Sequence, residues 1–444
     1  MEFKAEIFKK NDIRGLLAEV TPEIAQQVGK ALVSVTKAKK VVVGQDMRST
    51  SPELAKAAIE GITAMGATVL DIGLCTTSLY NFAVSSQADV GAGLMVTASH
   101  NPAEYNGLKM AWHNGLPIPG SDFLPLMSEE YAESEERGQV VYCSVLENYL
   151  DFCLKNVDAK KFAGTKVVID YGNGMGAVTV RKLAERLGLE VIEMYAEPDA
   201  RFPNHEANPA KEEMLSDLKA AVLKEKADFG IALDGDADRV GFVDNEGVSL
   251  RGDQTLALLA QAMLKSQPGA KVIVAPNQSW ATREAIAAAG GECVEVAVGR
   301  TTVIKAMHDT GAALGGELSS HFMFAETGNL ECVDLAMVKV LTLWKELGVK
   351  FAELVRPLRA MSNSGEVNIE VHDKAAALQK LSEKYESAAT VVNKLDGIRC
   401  EFGREWWFLV RASNTEPILR LIVEAMTEAM MIAKRDELVA LIGA

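Results

Sequence analysis

The sequence predicts three related α/β domains with mixed sheets and a smaller C-terminal α+β domain, with all four arranged around a central cleft. With 444 residues, the chain is too long for one hydrophobic core. A strand–helix–strand pattern recurs three times, and the last part of the chain instead alternates polar and apolar residues. We therefore expect domains at residues 1–144, 145–246, 247–358 and 359–444.

Each of the three copies begins with a Lys-Val pair, continues through a helical stretch and reaches a second strand after a glycine. In the first copy, Leu54, Ala58 and Ile62 recur at three- and four-residue spacing, which predicts a helix packed on a buried sheet. Strand, helix and strand in that order predict a βαβ crossover. The copies span residues 40–69, 166–191 and 271–294.

The last part of the chain follows a different pattern. Residues 365–371 and 418–424 alternate polar and apolar side chains, which predicts strands of a half-exposed antiparallel sheet. Helices over residues 375–386 and 429–441 are expected to cover its other face. The polar stretch 361–364 predicts a domain boundary and a hinge.

Composition and charge exclude several classes of partner. Hydrophobic residues make up 48% and charged residues 24%, as in soluble globular proteins. The net charge of −15 argues against nucleic acid and anionic membranes, although a local cluster of Arg and Lys could still hold a small anionic substrate. We expect neither a bilayer-spanning segment nor a signal peptide, because no apolar run is long enough and residues 1–6 lack the signal-peptide pattern. The six cysteines are scattered. We expect a cytoplasmic protein that is a monomer or a weak homodimer.

A candidate phosphoryl carrier lies in residues 97–102, which read TASHNP. They follow the apolar run 93–96, so we expect a loop at the C-terminal end of a buried strand. Ligand sites of open α/β sheets usually lie there. The hydroxyl of Ser99 can carry a phosphoryl group, and His100 and Lys109 are close enough in sequence to manage charge and protons.

A candidate metal site follows another predicted strand, where the sequence reads DGDADR from Asp234 onward. The carboxylates of Asp234, Asp236 and Asp238 cannot all stay ionised side by side without a cation, and all-oxygen ligation favours Mg²⁺ or Ca²⁺. An EF-hand loop is excluded because Arg239 and Asn245 stand where it requires Gly and Glu. A solvated turn is the alternative. With three protein ligands, room remains for a phosphate, and Arg239 would meet a phosphate oxygen.

Residues 315–321, GGELSSH, also follow an apolar run. Glu317 and Ser319 lie on the same side of an extended segment and could hydrogen-bond two neighbouring sugar hydroxyls. An ordinary polar turn explains this segment equally well.

Residues 411–417, RASNTEP, lie between two predicted strands and could form a phosphate nest or a plain hairpin turn. Arg14 offers another phosphate contact, or alternatively a structural salt bridge. We interpret Arg48 as a structural salt bridge that steadies the serine loop. The donors of the candidate nest are Arg411, Ser413, Asn414, Thr415 and Arg420.

Four motifs, at residues 97–102, 234–239, 317–321 and 411–415, resemble in type and order those of the α-D-phosphohexomutase superfamily. The resemblance is closest to its bacterial phosphomannomutase/phosphoglucomutase branch and covers essentially the whole chain. It implies interconversion of hexose 1-phosphate and hexose 6-phosphate, of mannose and/or glucose. It also implies an active-site phosphoserine, a hexose 1,6-bisphosphate intermediate and activator, and closure of the last domain over the sugar.

The resemblance also implies roles for individual residues. Ser99 would carry the phosphoryl group and hold Mg²⁺ together with the three aspartates. Lys109, His100, Arg239 and Arg14 would act beside the reacting group, with Lys109 as the candidate for proton transfer. The implied substrate contacts are Glu317, Ser319, His321, Arg300, Arg411, Ser413, Asn414, Thr415 and Arg420.

The chain departs from the family pattern at four places, none of which removes a catalytic group. Asn11 replaces a Tyr, Ser320 replaces a Gly, Arg300 stands where many phosphomannomutases have His, and residues 75–77 lack a Pro often found in that turn. The departures bear on the partner of Arg14 and on the choice of sugar.

Other functions stay open at this point. A phosphoglucosamine mutase ranks second, because that branch favours Ser at the position of Thr97 and Gln at that of Leu318. A pentose phosphate mutase ranks third. An aspartyl-phosphate phosphatase would need its nucleophilic Asp near the N-terminus, whereas Asp234 is mid-chain. A non-catalytic sugar-phosphate-binding relative has no need for Ser99, Lys109 and three aspartates together.

Overall fold

The protein is described by a computed structural model, which covers residues 3–413 and 417–443. The first sheet is mixed: β2 runs parallel to β3 and β4, whereas β5 is antiparallel to β4 and to β1. The first predicted repeat is confirmed as β2-α2-β3. The elements of this domain are β1 (Ile13–Leu16), α1 (Pro22–Thr36), β2 (Lys40–Gln45), α2 (Ser51–Ala64), β3 (Thr68–Leu74), α3 (Thr77–Ser85), β4 (Ala92–Val96), β5 (Tyr105–Trp112), β6 (Pro117–Ile118) and β7 (Val140–Tyr142).

The second sheet has the order β11-β10-β8-β9, with β8, β9 and β10 parallel and β11 antiparallel. Every residue of β10 is buried, in agreement with the apolar run that predicted this strand. The second repeat is confirmed as β8-α5-β9. The elements are α4 (Leu146–Cys153), β8 (Lys166–Asp170), α5 (Val180–Leu187), β9 (Glu190–Met194), α6 (Ser216–Glu225), β10 (Phe229–Leu233) and β11 (Val240–Asp244).

The third sheet has the order β13-β12-β14-β15-β16, and β12 runs parallel to both of its neighbours. The third repeat is confirmed as β12-α8-β13, and α10 packs on α7. The elements are α7 (Gly252–Leu264), β12 (Lys271–Val274), α8 (Trp280–Ala288), β13 (Glu292–Glu295), α9 (Arg300–Thr310), β14 (Leu314–Gly316), β15 (Phe322–Phe324), β16 (Leu330–Glu331), α10 (Val333–Leu347) and α11 (Phe351–Val355).

The fourth sheet is antiparallel, with β22 paired to β17, β18 and β21. Helices α12 and α13 confirm the two predicted helices to within a few residues. The stretch predicted as a boundary and hinge contains β17, and both that role and the domain limits remain predictions. The elements are β17 (Ser362–Asn363), β18 (Val367–Glu370), α12 (Lys374–Tyr385), β19 (Val391–Asn393), β20 (Ile398–Phe402), β21 (Trp406–Ala412), β22 (Ile418–Ala425) and α13 (Glu428–Gly443).

The fourth sheet is less exposed than its sequence predicted. Phe408 and Val423 face a core that α12 and α13 also line, as expected. On the other face, Trp407 and Ile422 are also buried, because they pack against Trp280 of the third domain. Half-exposed strands were expected at β18 and β22: β18 does alternate buried and more exposed residues, whereas most residues of β22 and of its neighbour β21 are buried. Apolar residues on both faces of these strands allow the sheet to be covered twice.

None of the helices within residues 3–413 and 417–443 combines the length and the apolar character needed to cross a bilayer.

Candidate active site

The loop that carries Ser99 leaves the C-terminal end of β4, as predicted. Ser99 has a φ of 53°, in the left-handed region, and its N–H donates to the Thr97 hydroxyl at 2.9 Å. The N–H of Asn101 donates to the Ala98 carbonyl at 3.0 Å, which closes the turn. A non-glycine residue holds this conformation only where the surroundings impose it, so the loop has a defined shape.

Arg48 imposes that shape. Its guanidinium is 1% exposed, lies 3.2 Å from the carboxylate of Asp46 and has the ring of Phe202 at 5.5 Å. The predicted salt bridge is therefore present, and the same side chain steadies the serine loop by binding its backbone. The guanidinium donates, at 2.5 to 2.9 Å, to the carbonyl oxygens of Ser99, Asn101, Pro102 and Tyr105.

The three aspartates follow β10 and are buried, with ligand oxygens that all lie within 4.8 Å of one another. Asp234 Oδ1 accepts from the N–H groups of Asp238 and Arg239 at 3.0 and 3.1 Å, which curls the loop. The loop also lies directly on the serine loop. A Cβ on Gly235 would lie 2.5 Å from the Ser99 carbonyl oxygen, so this approach requires glycine.

The cluster fits a divalent cation. Within residues 3–413 and 417–443, Asp236 Oδ1 is buried with no hydrogen-bond partner. Burial and the charges of Asp238 and Asp236 raise the pKa of Asp234 well above its usual value. Ser99 Oγ lies 3.2 Å from Asp234 Oδ2, so an uncharged oxygen joins the carboxylates. Such an all-oxygen set is what hard cations such as Mg²⁺ and Ca²⁺ bind.

Lys109 and His100 differ in charge. Lys109 Nζ lies 2.6 Å from Asp236 Oδ2 and 2.9 Å from Asp238 Oδ2. Although burial opposes its charge, the two carboxylates raise the pKa of Lys109, so it stays protonated. His100 Nδ1 lies 3.3 Å from Ser99 Oγ. Burial, followed by the positive charge of Arg239, lowers the pKa of His100 to about 3, so its imidazole is neutral at physiological pH.

Arg14, from β1, reaches the serine loop. Its guanidinium donates to the Asn101 side-chain oxygen at 2.8 Å and pairs with Asp12. This contact connects the first strand of the chain with the serine loop.

The segment predicted to bind sugar lies beside the candidate metal loop, residues 234–239, which is called the metal loop below. Ser319 Oγ and Glu317 Oε2 lie 2.9 and 3.3 Å from His321 Nδ1, so the three side chains converge. His321 Nε2 lies 3.3 Å from Asp238 Oδ1 and 3.2 Å from Arg239 Nε. The carboxylate favours the protonated imidazole, whereas the guanidinium favours the neutral one. The carboxylates prevail: although burial opposes the charge, they raise the pKa of His321 to about 9.

Arg300 lies at the start of α9 and forms a two-pronged ion pair with Glu331. The Glu331 carboxylate is fully buried, and the Arg300 side chain is 18% exposed. The residue expected to contact substrate is therefore anchored by a carboxylate from β16.

Part of the predicted phosphate nest lies outside the described residues, namely Asn414 and Thr415. Arg411 and Arg420 are opposite each other on β21 and β22, and both donate to the carboxylate of Glu366. Ser413 is buried. Two guanidinium groups of the predicted nest thus converge on one carboxylate.

Four family models match the chain in order along its length. They describe a phosphoglucomutase/phosphomannomutase, with alpha/beta/alpha domain I over residues 5–136, domain II over 147–247, domain III over 251–360 and the C-terminal domain over 366–441. The chain belongs to the phosphoglucomutase/phosphomannomutase family. The resemblance found in its sequence motifs is confirmed, and so is the four-domain α/β fold.

Relatives of the same length support this assignment. A phosphomannomutase of Escherichia coli is 36% identical over an alignment of 454 positions that covers 98% of each chain. A protein of Xanthomonas campestris named "Phosphohexose mutases" is 35% identical over 97% of each chain. The solved structure of a family protein from Burkholderia thailandensis superimposes with a TM-score of 0.88 at 28% identity, covering 99% of this chain and 97% of that chain. The protein is a mutase enzyme, a phosphohexomutase.

Sequence reasoning missed two residues that join the domains of this phosphohexomutase. Thr77 and Ser78, at the start of α3 in the first domain, both hydrogen-bond the metal loop of the second. Ser78 Oγ donates to the Ala237 carbonyl oxygen at 3.0 Å and accepts from the N–H of Val333 at 3.1 Å. Their only signal was a polar pair at a helix start, a pattern typical of capping.

Proposed function

We propose that this phosphohexomutase interconverts the 1-phosphate and 6-phosphate of mannose and/or glucose. Ser99 carries the phosphoryl group, and a hexose 1,6-bisphosphate is the intermediate. The observation that carries the proposal is the 3.2 Å contact between Ser99 Oγ and Asp234 Oδ2. It places a hydroxyl that can carry phosphate against a buried carboxylate cluster, with the Lys109 ammonium bound to that cluster.

In this proposal, Asp234, Asp236 and Asp238 hold Mg²⁺, which when bound neutralises charge on the transferring phosphoryl group. Lys109 and Arg239 add fixed positive charge on the protein side. Because the carboxylates keep Lys109 protonated, its ammonium can donate a hydrogen bond to a departing sugar oxygen and stabilise the negative charge that develops there.

The rest of the site orients the sugar phosphate. Glu317 and Ser319 grip the O3 and O4 hydroxyls, with His321 between them and the metal loop. The phosphate that is not reacting binds at Arg411 and Arg420 and at the neighbouring Ser413, Asn414 and Thr415. The Glu366 carboxylate bridges the two guanidinium groups. When a phosphate arrives, the guanidinium groups therefore exchange this carboxylate for the phosphate.

Phosphoserine must be protected from water, which we propose the fourth domain does by closing over the bound sugar about a hinge at residues 361–364. Small-angle scattering with and without hexose phosphate tests this step. Identical profiles in the two states would refute the hinge but would leave the proposed phosphoryl transfer untested by this experiment.

The deciding experiment is ³¹P NMR of the protein with Mg²⁺, a trace of hexose 1,6-bisphosphate and, separately, the 1-phosphates of mannose, glucose and glucosamine. A 6-phosphate signal from the first two supports the proposal. Turnover of the glucosamine compound alone would indicate a phosphoglucosamine mutase instead. Release of inorganic phosphate, or no change with any sugar, would overturn the proposal.

The serine is tested by Ser99→Ala, with Ser266→Ala as the matched control at an exposed helix end. We expect the first variant to lose turnover and the second to keep it. Full turnover in Ser99→Ala would exclude the phosphoserine, and a phosphatase that uses Asp234 would show that result.

A further inference from the structure

Thr77 begins α3 in the first domain but lies against the metal loop of the second domain. The preceding Thr76 caps the helix, its hydroxyl accepting from the N–H of Leu79 at 3.0 Å. Thr77 is therefore not needed as the cap. Its side chain is buried, and its exposed fraction is 1%.

Thr77 holds Asp236 at two points. Its hydroxyl donates to Asp236 Oδ2 at 2.6 Å, and its backbone N–H donates to the Asp236 carbonyl oxygen at 2.8 Å. The neighbouring Ser78 hydroxyl donates to the carbonyl oxygen of Ala237, whose φ is 54°. The start of α3 thus fixes both the backbone and one carboxylate of the metal loop from outside that loop.

The hydroxyl proton of Thr77 has one favourable acceptor. Met95 Sδ lies 3.4 Å away and is a weak acceptor, whereas the carboxylate oxygen of Asp236 lies at 2.6 Å. Lys109 Nζ lies 3.3 Å from Thr77 Oγ1 and donates to it. The hydroxyl therefore accepts from the ammonium and donates to the carboxylate, which orients all three groups.

The two carboxylate oxygens of Asp236 have different surroundings. Oδ2 accepts hydrogen bonds from Thr77 and Lys109, both at 2.6 Å. Oδ1 is buried and, within the described part of the chain, has no hydrogen-bond partner. A carboxylate anchored through one oxygen presents the other in a fixed direction, as outer partners of metal ligands commonly do.

We propose that Thr77 is a positioning residue for the metal site: its hydroxyl anchors Asp236 Oδ2 so that Oδ1 faces the cation. The inference rests on the proposed function only in taking the three aspartates as the cation site. Because Thr77 belongs to the first domain and Asp236 to the second, the same bond holds the domain that carries Ser99 on the domain that carries the ligands.

This device depends on the residue type at position 77. The hydroxyl bond to Oδ2 requires a serine or a threonine at this position. The N–H bond to the Asp236 carbonyl oxygen can be made by any residue except proline. Removing the hydroxyl therefore breaks the first contact and leaves the second in place.

The test is a titration of the full-length protein with Mn²⁺, with free ion followed by electron paramagnetic resonance. Thr77→Val keeps the side-chain shape but removes the hydroxyl, and we expect Mn²⁺ affinity to fall about tenfold to a hundredfold. Thr77→Ser restores the hydroxyl and should bind within about threefold of the wild type. Thr63→Val is the matched control, because its buried hydroxyl donates to the α2 carbonyl oxygens of Ile59 and Glu60.

Thermal unfolding without metal checks that each variant is folded, and Thr77→Ala takes the place of Thr77→Val if valine prevents folding. Wild-type affinity in the hydroxyl-free variant would overturn the inference. Equal loss in Thr77→Ser would also overturn it, because the methyl group rather than the hydroxyl would then matter. If the wild type itself binds no Mn²⁺, the cation site of the proposed function fails, which is a distinguishable result.

Discussion

The clamp that Arg48 forms on the serine loop makes a sharp prediction for Arg48→Lys. Lysine keeps a positive charge beside Asp46, so the buried ion pair can survive. The substitution replaces the planar guanidinium, which has five N–H donors, by a compact ammonium with three donors. The four carbonyl oxygens that the guanidinium now binds at 2.5 to 2.9 Å cannot all be served.

The magnitude follows from the bonds that are lost. A hydrogen bond from a charged donor contributes about 1.5 kcal/mol at the low end, so losing two destabilises the loop by about 3 kcal/mol. At about 1.4 kcal/mol per factor of ten, the open form of the loop becomes on the order of a hundredfold more populated. The fold should survive, because the change is local.

Amide hydrogen exchange by mass spectrometry measures this opening directly. The amides to follow are those of Ser99, Asn101 and Tyr105, whose bonds within the loop are 2.9 to 3.1 Å. Arg181→Lys is the matched control, because Arg181 pairs with Glu193 at the surface, where both side chains are more than a third exposed. Arg181→Lys should change the free energy of opening of the serine loop by no more than about 0.5 kcal/mol. Unchanged exchange in Arg48→Lys, or equal acceleration in both variants, would refute the reasoning.

Three further predictions concern other parts of the molecule. His205 donates to Asp170 at 2.9 Å and to the Glu206 carbonyl oxygen at 2.8 Å, and mainly the Asp170 bond raises its pKa to about 9 from 6.5. This imidazolium stabilises the fold fully below about pH 6.5, by about 1–2 kcal/mol after allowing for partial exposure, and the effect is lost as pH rises through about 9. Urea unfolding from pH 6 to 10 should show that His205→Gln removes this slope, and a slope retained in the variant would contradict the assignment. Gly61→Ala places a Cβ 2.0 Å from the Gln26 carbonyl oxygen, so it should destabilise the packing of α1 on α2 by about 1–3 kcal/mol in a thermal melt, and an unchanged melt would count against it. Removing divalent cations with a chelator should lower the unfolding temperature, and Mg²⁺ should restore it in a concentration-dependent way, whereas the same temperature with and without Mg²⁺ would argue against a cation at the aspartates.

The elements of the three repeats could be predicted because their signals are local. Leu54, Ala58 and Ile62 all face the core from one helix, and β10 is a continuous apolar run that is buried along its whole length. The meeting of the serine and metal loops was implied by the family resemblance and not by local patterns, because their strands β4 and β10 lie in different sheets. Each loop leaves the C-terminal end of a buried strand, where ligand sites of such sheets form. The contact of Ser99 with Asp234 is where the two predictions meet.

Contacts between distant segments left no local signal. Arg300 was expected to touch substrate, but its ion pair with Glu331 could not be foreseen, because pairing depends on where β16 lies. Thr77 looked like an ordinary residue at a helix start. Similarly, an alternating strand does not reveal whether a neighbouring domain covers its second face, as Trp280 does over Trp407. These interactions depend on how the domains pack, which residue periodicity does not encode.

The position of β22 has a consequence for how the chain is made. β22 is the last strand in sequence, yet β17, β18 and β21 all pair with it. While the protein is synthesised, these three strands lack their β22 partner until residues 418–425 emerge. All strands of the first domain, in contrast, lie within residues 13–142. A nascent or prematurely terminated chain that ends before Ile418 would expose edges able to pair with other chains. In such a chain, aggregation would start at the unpaired edges of the fourth domain.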